Sequence, residues 1–163
     1  MSPDRLLEAL LRAKVDFVIV GGLAAVLHGS TLLTRDLDIC IPLGSKSILR
    51  LQEAIEVLHP RVRSGADLVP LELDAEQAAA VKNLYVTTDE GRLDCLGLVA
   101  GVGDFDSVLR ESIEIPLGDS SCRVLGIDAL IRAKETMGRS HDLQTVIQLK
   151  ALRERGRRDD ASR

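Results

Sequence analysis

The chain has 163 residues, 45% of them apolar, which suits one domain burying about two thirds of the surface its unfolded chain exposes. Its formal charge of −4 gives no overall basic footprint for nucleic acid, and Phe17, Tyr85 and Phe105 are too few to build a stacking platform for single strands. Cys40, Cys95 and Cys122 are odd in number and lack close CxxC spacing, which argues against a disulfide framework or structural zinc, and no apolar run approaches the roughly 20 residues of a membrane span, so a cytoplasmic protein is expected.

Ser2 is placed to cap a helix whose first position is Pro3, with Leu6, Leu7, Leu10 and Leu11 on one stripe to about Ala13. Residues 15–20 have the pattern of a buried strand and end on Gly21-Gly22. Residues 23–27 read as a short helix ending at Gly29, and residues 30–35 as a polar connection to a second strand over 37–41. After Pro42, Ser45 opens a helix with Ile48, Leu51, Ile55 and Leu58 on one face until Pro60, and residues 61–70 read as loop. Asp74 caps a further helix, and residues 84–88 and 92–96 form a hairpin around Asp89-Glu90-Gly91.

Residues 97–103 are punctuated by glycine and 105–109 suggest a short helix. Residues 113–117 and 123–125 suggest strands around Gly118-Asp119-Ser120-Ser121. Two helices finish the chain, one from Asp128 and one from near Ser140. Residues 1–152 thus form one domain. Residues 153–163 lose apolar periodicity and mix both charge signs, as expected of a solvated, frayed tail. Its five arginines outnumber three acids, which leaves an electrostatic phosphate contact as its alternative use.

The chemistry concentrates in Asp36, Asp38 and Asp94. On a strand, residues i and i+2 share a face, so the first two carboxylates point the same way from Cα atoms roughly 6.5 Å apart. Asp94 alternates with the apolar Leu93 and Cys95 and can be aimed at the same point by a neighbouring strand. Converging without a cation, such carboxylates repel by up to about 4 kcal/mol per pair at 4 Å and intermediate dielectric. Two Mg²⁺ ions about 3.5–4 Å apart remove that penalty and can hold the oxygens of a phosphoryl transfer.

Gly21-Gly22 supplies an anion site, because glycine after a strand lets backbone N–H groups approach a polyphosphate at a helix start. A dinucleotide fold is disfavoured, since Leu23 and Val26 stand where its fingerprint needs further glycines. Cys40 is expected to pack below the acids, His28 to be a satisfied core or boundary histidine, and His59 to lie on the surface. The plain alternatives are a solvated acid pair, an Asp94–Arg92 pair, a solvated Lys134 and an Asp142 that merely favours its helix start.

These residues resemble the nucleotidyltransferase superfamily typified by DNA polymerase beta. That family's signature is an apolar residue, Gly, then Gly or Ser, and after a short helix an acid, an apolar residue, an acid and another apolar residue. Val20-Gly21-Gly22 and Asp36-Leu37-Asp38-Ile39 match it, with Asp94 as the later strand acid. Thr34-Arg35 before the acids and Gly22-Leu23-Ala24 look most like small bacterial proteins related to toxin–antitoxin nucleotidyltransferases. The resemblance spans about residues 15–150, and Lys134, Arg139 and Asp142 match three downstream positions, whereas His141 stands where Lys is usual.

The resemblance implies an α/β (α+β) fold, a mixed sheet flanked by helices with two C-terminal helices closing a cleft. It implies transfer of a nucleoside monophosphate from an NTP such as ATP to an acceptor hydroxyl, with Mg²⁺ (or Mn²⁺). Asp36 and Asp38 would bind the metal and through it the triphosphate, and Asp94 would complete the metal set and help activate the acceptor. Gly21, Gly22, Thr34, Arg35, Lys134, Arg139 and Asp142 would bind the nucleotide. The expected partners are the NTP, a tRNA or protein acceptor, or the other half of a toxin–antitoxin pair, with no membrane. The rival readings are a non-catalytic nucleotidyltransferase-like component of such a pair and a metal-dependent phosphohydrolase.

Overall fold

The computed structural model describes residues 3–163, so the proposed cap Ser2 lies outside the described residues. Helix α1 (Pro3–Arg12) buries Leu6, Leu7 and Leu10 on the expected stripe. Strand β1 (Val18–Val20) passes directly into α2 (Gly21–Leu27), which therefore begins on the two glycines. Strand β2 (Leu37–Cys40) and helix α3 (Ser45–Ile55) follow, and a single 3-10 turn (Glu56–Leu58) ends the helix before Pro60.

Residues 61–70, expected as loop, instead form the hairpin β3 (Arg61–Ser64) and β4 (Asp67–Pro70). The turn is made at Gly65 with φ of 61°, a left-handed conformation that glycine adopts without strain. β4 is exposed along its whole length, so the half-buried alternation that announces a strand has nothing to face.

Helix α4 (Ala75–Ala80) carries the capping box between Asp74 and Gln77. The next hairpin is β5 (Asn83–Thr88) with β6 (Gly91–Leu96), as expected. A short ribbon, β7 (Leu98–Val99) with β8 (Gly103–Asp104), occupies the glycine-rich stretch and leads to α5 (Phe105–Arg110). Strands β9 (Ser112–Leu117) and β10 (Ser120–Leu125) turn at Gly118-Asp119, so Ser120 and Ser121 belong to the strand rather than to the turn.

The chain closes with α6 (Ile127–Met137) and α7 (Ser140–Ala161). α7 runs through most of the segment expected to fray. Extending a helix already nucleated costs far less than starting one, and Arg153 pairs with Asp128 at 3.0 Å. From Glu154 onward the residues are exposed, as their composition requires.

Among the described residues eight strands form one mixed sheet in the order β4-β3-β5-β6-β2-β1-β10-β9, parallel at β6-β2 and β1-β10 and antiparallel elsewhere. Alternation gives the central strands two different faces. Ile19, Leu37, Ile39 and Leu93 lie on one, wholly buried in a core that also takes in Leu6, Leu10, Ile48, Leu51 and Ile55 of α1 and α3. Asp38 and Asp94 lie on the other. α2 packs on β1, β2 and α6, and α6 packs on α7. Among the described residues no helix is long and apolar enough to cross a membrane.

Candidate active site

β2 and β6 run side by side with Asp38 opposite Asp94, while Val20, the last residue of β1, faces Asp38 from the other side. Registered partners project from the same face of a sheet, so strand pairing alone brings together acids 56 positions apart in the chain. Asp36 precedes β2 by one residue and shares the alternation of Asp38.

The glycines are needed for close approach. Gly21 has φ of 64°, and a Cβ there would overlap Asp38 Oδ2. A Cβ on Gly22 would sit 2.8 Å from Thr34 Oγ1, and Thr34 in turn donates to the Asp36 carbonyl at 3.3 Å. The Gly22 N–H donates to the Asp38 carboxylate. The glycine pair thus seats Asp38 and Thr34, and the carboxylate takes a donor at the start of α2.

The carboxylates are held in tension. Burial and then the charge of Asp94 push the Asp38 carboxyl above its ordinary range, and Asp36 adds to this, while the Gly22 N–H and Lys134 oppose it. Burial also raises Asp94, with Arg92 opposing and Asp36 reinforcing the shift. Asp94 Oδ1 is buried without a hydrogen-bond partner, and Arg92 Nη2 stands 3.6 Å from it, beyond hydrogen-bonding reach. An orphaned buried carboxylate oxygen beside a second raised carboxyl fits a divalent cation in donor type, since Mg²⁺ and Mn²⁺ take hard oxygen ligands. Among the described residues no three acid, His or Cys side chains are gathered closely enough to form a closed metal set. The donor set is therefore open, with Asp38 and Asp94 at its floor.

Above the acids, the junction of α6 and α7 holds a buried ion cluster. Asp142 is fully buried and accepts from Lys134 Nζ at 3.1 Å and from Arg139 Nε at 2.6 Å. Burial alone would raise its pKa, but hydrogen bonds from Arg139 and Lys134 outweigh it and hold the carboxyl below its ordinary value. Lys134 is 7% exposed, so it is not a solvated lysine. It occupies the apolar stripe of α6 between Leu130 and Met137, which was the sequence signal for its burial.

Acids, glycines and cations border one cleft of about 600 Å³ between the sheet and the closing helices. No protein-family model matches the sequence, and no curated protein does. Solved structures do match the fold. The lincomycin-bound lincosamide antibiotic adenylyltransferase LnuA aligns over 93% of this chain and 98% of its own, at 14% identity and a TM-score of 0.63. The antibiotic-resistance factor ANT(2'')-Ia aligns in its solution structure over 98% of this chain and 91% of its own, at 18% identity and a TM-score of 0.55. Its complex with adenylyl-2''-tobramycin aligns over 96% and 95%, at 17% identity and a TM-score of 0.55. The chain has a nucleotidyltransferase fold.

In this nucleotidyltransferase fold, Gly21, Gly22, Thr34, Asp36, Asp38, Asp94, Lys134 and Arg139 all border the cleft. Arg35 does not; it is exposed outside the cleft. Asp142 lies beneath the cleft wall and reaches the cleft only through the two cations it holds. Sequence reasoning missed Tyr85, which borders the cleft and pairs in register with Asp94. The expected turn over 89–91 would set Val86 opposite Asp94; the observed turn pairs Thr88 with Gly91 and shifts the register by one, which brings Tyr85 there instead. Gln148 of α7 was also missed; it accepts from Ser30 Oγ at 2.8 Å and from the Thr31 N–H at 3.1 Å, tying the closing helix to the connection before β2.

The remaining candidates are structural. His28 Nε2 meets the Leu125 carbonyl at 2.8 Å. His59 is on the surface but engaged, its Nδ1 2.6 Å from Asp89. All three cysteines are buried and free, and burial, reinforced by Asp104, pushes the Cys40 thiol up to about 11. A thiol held so high carries little thiolate for a metal or an electrophile.

Proposed function

We propose that this chain transfers a nucleoside monophosphate from an NTP to the hydroxyl of a small-molecule acceptor. The observation that carries the reading is the in-register pair Asp38 and Asp94 on the cleft floor, with an orphaned Asp94 oxygen, facing the Lys134–Asp142–Arg139 cluster. The acceptor oxygen bonds to the α-phosphorus as the bond from that phosphorus to the bridging oxygen breaks, pyrophosphate leaves, and the hydroxyl proton passes to Asp94. A carboxyl raised by burial suits that base role. Lys134 and Arg139 hold the triphosphate, and Asp142 fixes both cations. Asp36, Asp38 and Asp94 would hold divalent Mg²⁺ or Mn²⁺, which supplies charge neutralisation at the phosphates.

A small acceptor is favoured over tRNA or protein because LnuA and ANT(2'')-Ia, aligned here along nearly their whole lengths, are named for antibiotic substrates. The chain's net negative charge also disfavours a polynucleotide. Purified protein with Mg²⁺ and α-labelled NTPs, supplied with a small-metabolite extract, is expected to place label in an acceptor and release pyrophosphate, with both lost in Asp94→Asn. Release of orthophosphate would favour the phosphohydrolase instead. Wild type that fails to bind Mg²⁺–NTP, with Asp36→Asn making no difference, sinks the reading.

Three features favour a non-catalytic binding protein, alone or paired with a toxin–antitoxin partner. Arg92 already stands beside Asp94, the metal set is open, and His141 replaces a clamp lysine. NTP binding without turnover under any acceptor would select that reading.

A further inference from the structure

We infer that the acceptor subsite, resting on the transfer reading above, takes a hydroxyl compound with an apolar body and no positive charge, and prefers one that carries an anionic group. Nucleotide and metal use up nearly all the cleft's charges. The acids bordering the cleft are Asp36, Asp38 and Asp94, all three committed to the metal in that reading. Lys134 and Arg139 are committed to the triphosphate and anchored by Asp142. Among the described residues no other carboxylate borders the cleft to meet an acceptor ammonium group.

What remains beside Asp94 has a different character. Arg92 shares its strand face two residues away, with its side chain 57% exposed, and at 3.6 Å its contact with Asp94 is no hydrogen bond. Its five donors stay available once Asp94 faces a cation. Tyr85 stands across from Asp94 on β5, 55% exposed, and Met137 at the end of α6 is 47% exposed and also borders the cleft. An aromatic ring and a guanidinium beside the proposed base, with the Met137 thioether farther along the cleft at 3.9 Å from Arg139 Nη2, form a surface for an apolar or planar body with an anionic substituent. A cationic acceptor would meet Arg92 at close range, while the adjacent acid, Asp94, is turned to the metal in that reading, and such like-charge contact is how a site rejects a wrong ligand.

The test is a charge-matched series of 4-nitrophenyl β-glycosides carrying glucuronic acid (anionic), glucose (neutral) or glucosamine (cationic), titrated calorimetrically into full-length protein with Mg²⁺ and a nonhydrolysable ATP analogue. The glucuronide is expected to bind about tenfold more tightly than the glucosaminide, which corresponds to about 1.4 kcal/mol, with the glucoside between them. Arg92→Glu is expected to invert the order and Arg92→Lys to restore it, with unchanged circular dichroism showing that both variants fold. Equal affinities, preference for the glucosaminide, or no binding of any member at millimolar concentration overturns the inference. Titration of the nucleotide alone, before any glycoside, separates this outcome from failure of the transfer reading.

Discussion

At Gly21 two constraints coincide: a left-handed φ of 64° and an Asp38 carboxylate lying where a Cβ would go. Gly21→Ala is therefore expected to cost about 1–3 kcal/mol, since neither the backbone nor Asp38 can relieve the strain without losing the Gly22 N–H bond; urea denaturation gives the number. Asp38 itself predicts the opposite sign. Its carboxyl is raised by burial and by Asp94, so its charge destabilises the metal-free fold. Asp38→Asn removes that charge and keeps an oxygen acceptor for Gly22, so metal-free Tm should rise. Mg²⁺ should raise the Tm of wild type but not of Asp38→Asn. A fall in metal-free Tm on that substitution would contradict the electrostatic account. Alternation along β2 and β6 made the acid face legible from sequence. The Asp38–Asp94 register was not, because it depends on a parallel pairing between strands separated by the whole of α3, two hairpin strands, α4 and β5.

The α6–α7 pair turns on one buried ion cluster. Asp142 is wholly buried and Lys134 nearly so, so removing one partner strands the other's charge in a medium that solvates it poorly. Asp142→Ala should cost about 3–5 kcal/mol by urea denaturation, and Lys134→Met a comparable amount. Replacing both, as Lys134→Met with Asp142→Leu, should recover most of that loss while abolishing nucleotide binding. That outcome would assign the cluster to ligand binding rather than to stability. If the double variant is as unstable as either single one, the cluster is needed to dock the helices. The elements themselves were legible wherever one face is buried: the stripes of α1, α3 and α6 and the β5–β6 hairpin all follow their apolar periods. β4 escaped because an exposed edge imposes no such period, β3 because it lies between β4 and β5 without a buried alternating face, and the helical continuation of α7 because solvent-facing arginines and acids look alike in helix and coil.

Over the whole molecule these groups set a pH profile with two opposing limbs. Asp142 is depressed in the fold, so its contribution is present above the unfolded carboxyl pKa of about 3.9 and is lost as pH falls through the lower folded value. Asp38 and Asp94 are raised, so the native state holds protons that the unfolded state has released. Their effect is stabilising at low pH and fades as pH rises through their folded values. The net charge of −4 at neutrality adds self-repulsion in the same direction. Metal-free protein should therefore be most stable on the acid side of neutral, above the range in which Asp142 protonates. Mg²⁺ competes with protons for the two floor carboxylates, so its stabilisation should grow with pH and move the optimum toward neutrality. Melting curves from pH 4 to about 8, with and without Mg²⁺, test this directly. In Asp38→Asn with Asp94→Asn both the acid-side rise and the Mg²⁺ shift should vanish. A metal-free Tm that climbs steadily to pH 8 would mean that the cleft floor is not where this molecule stores its unfavourable charge.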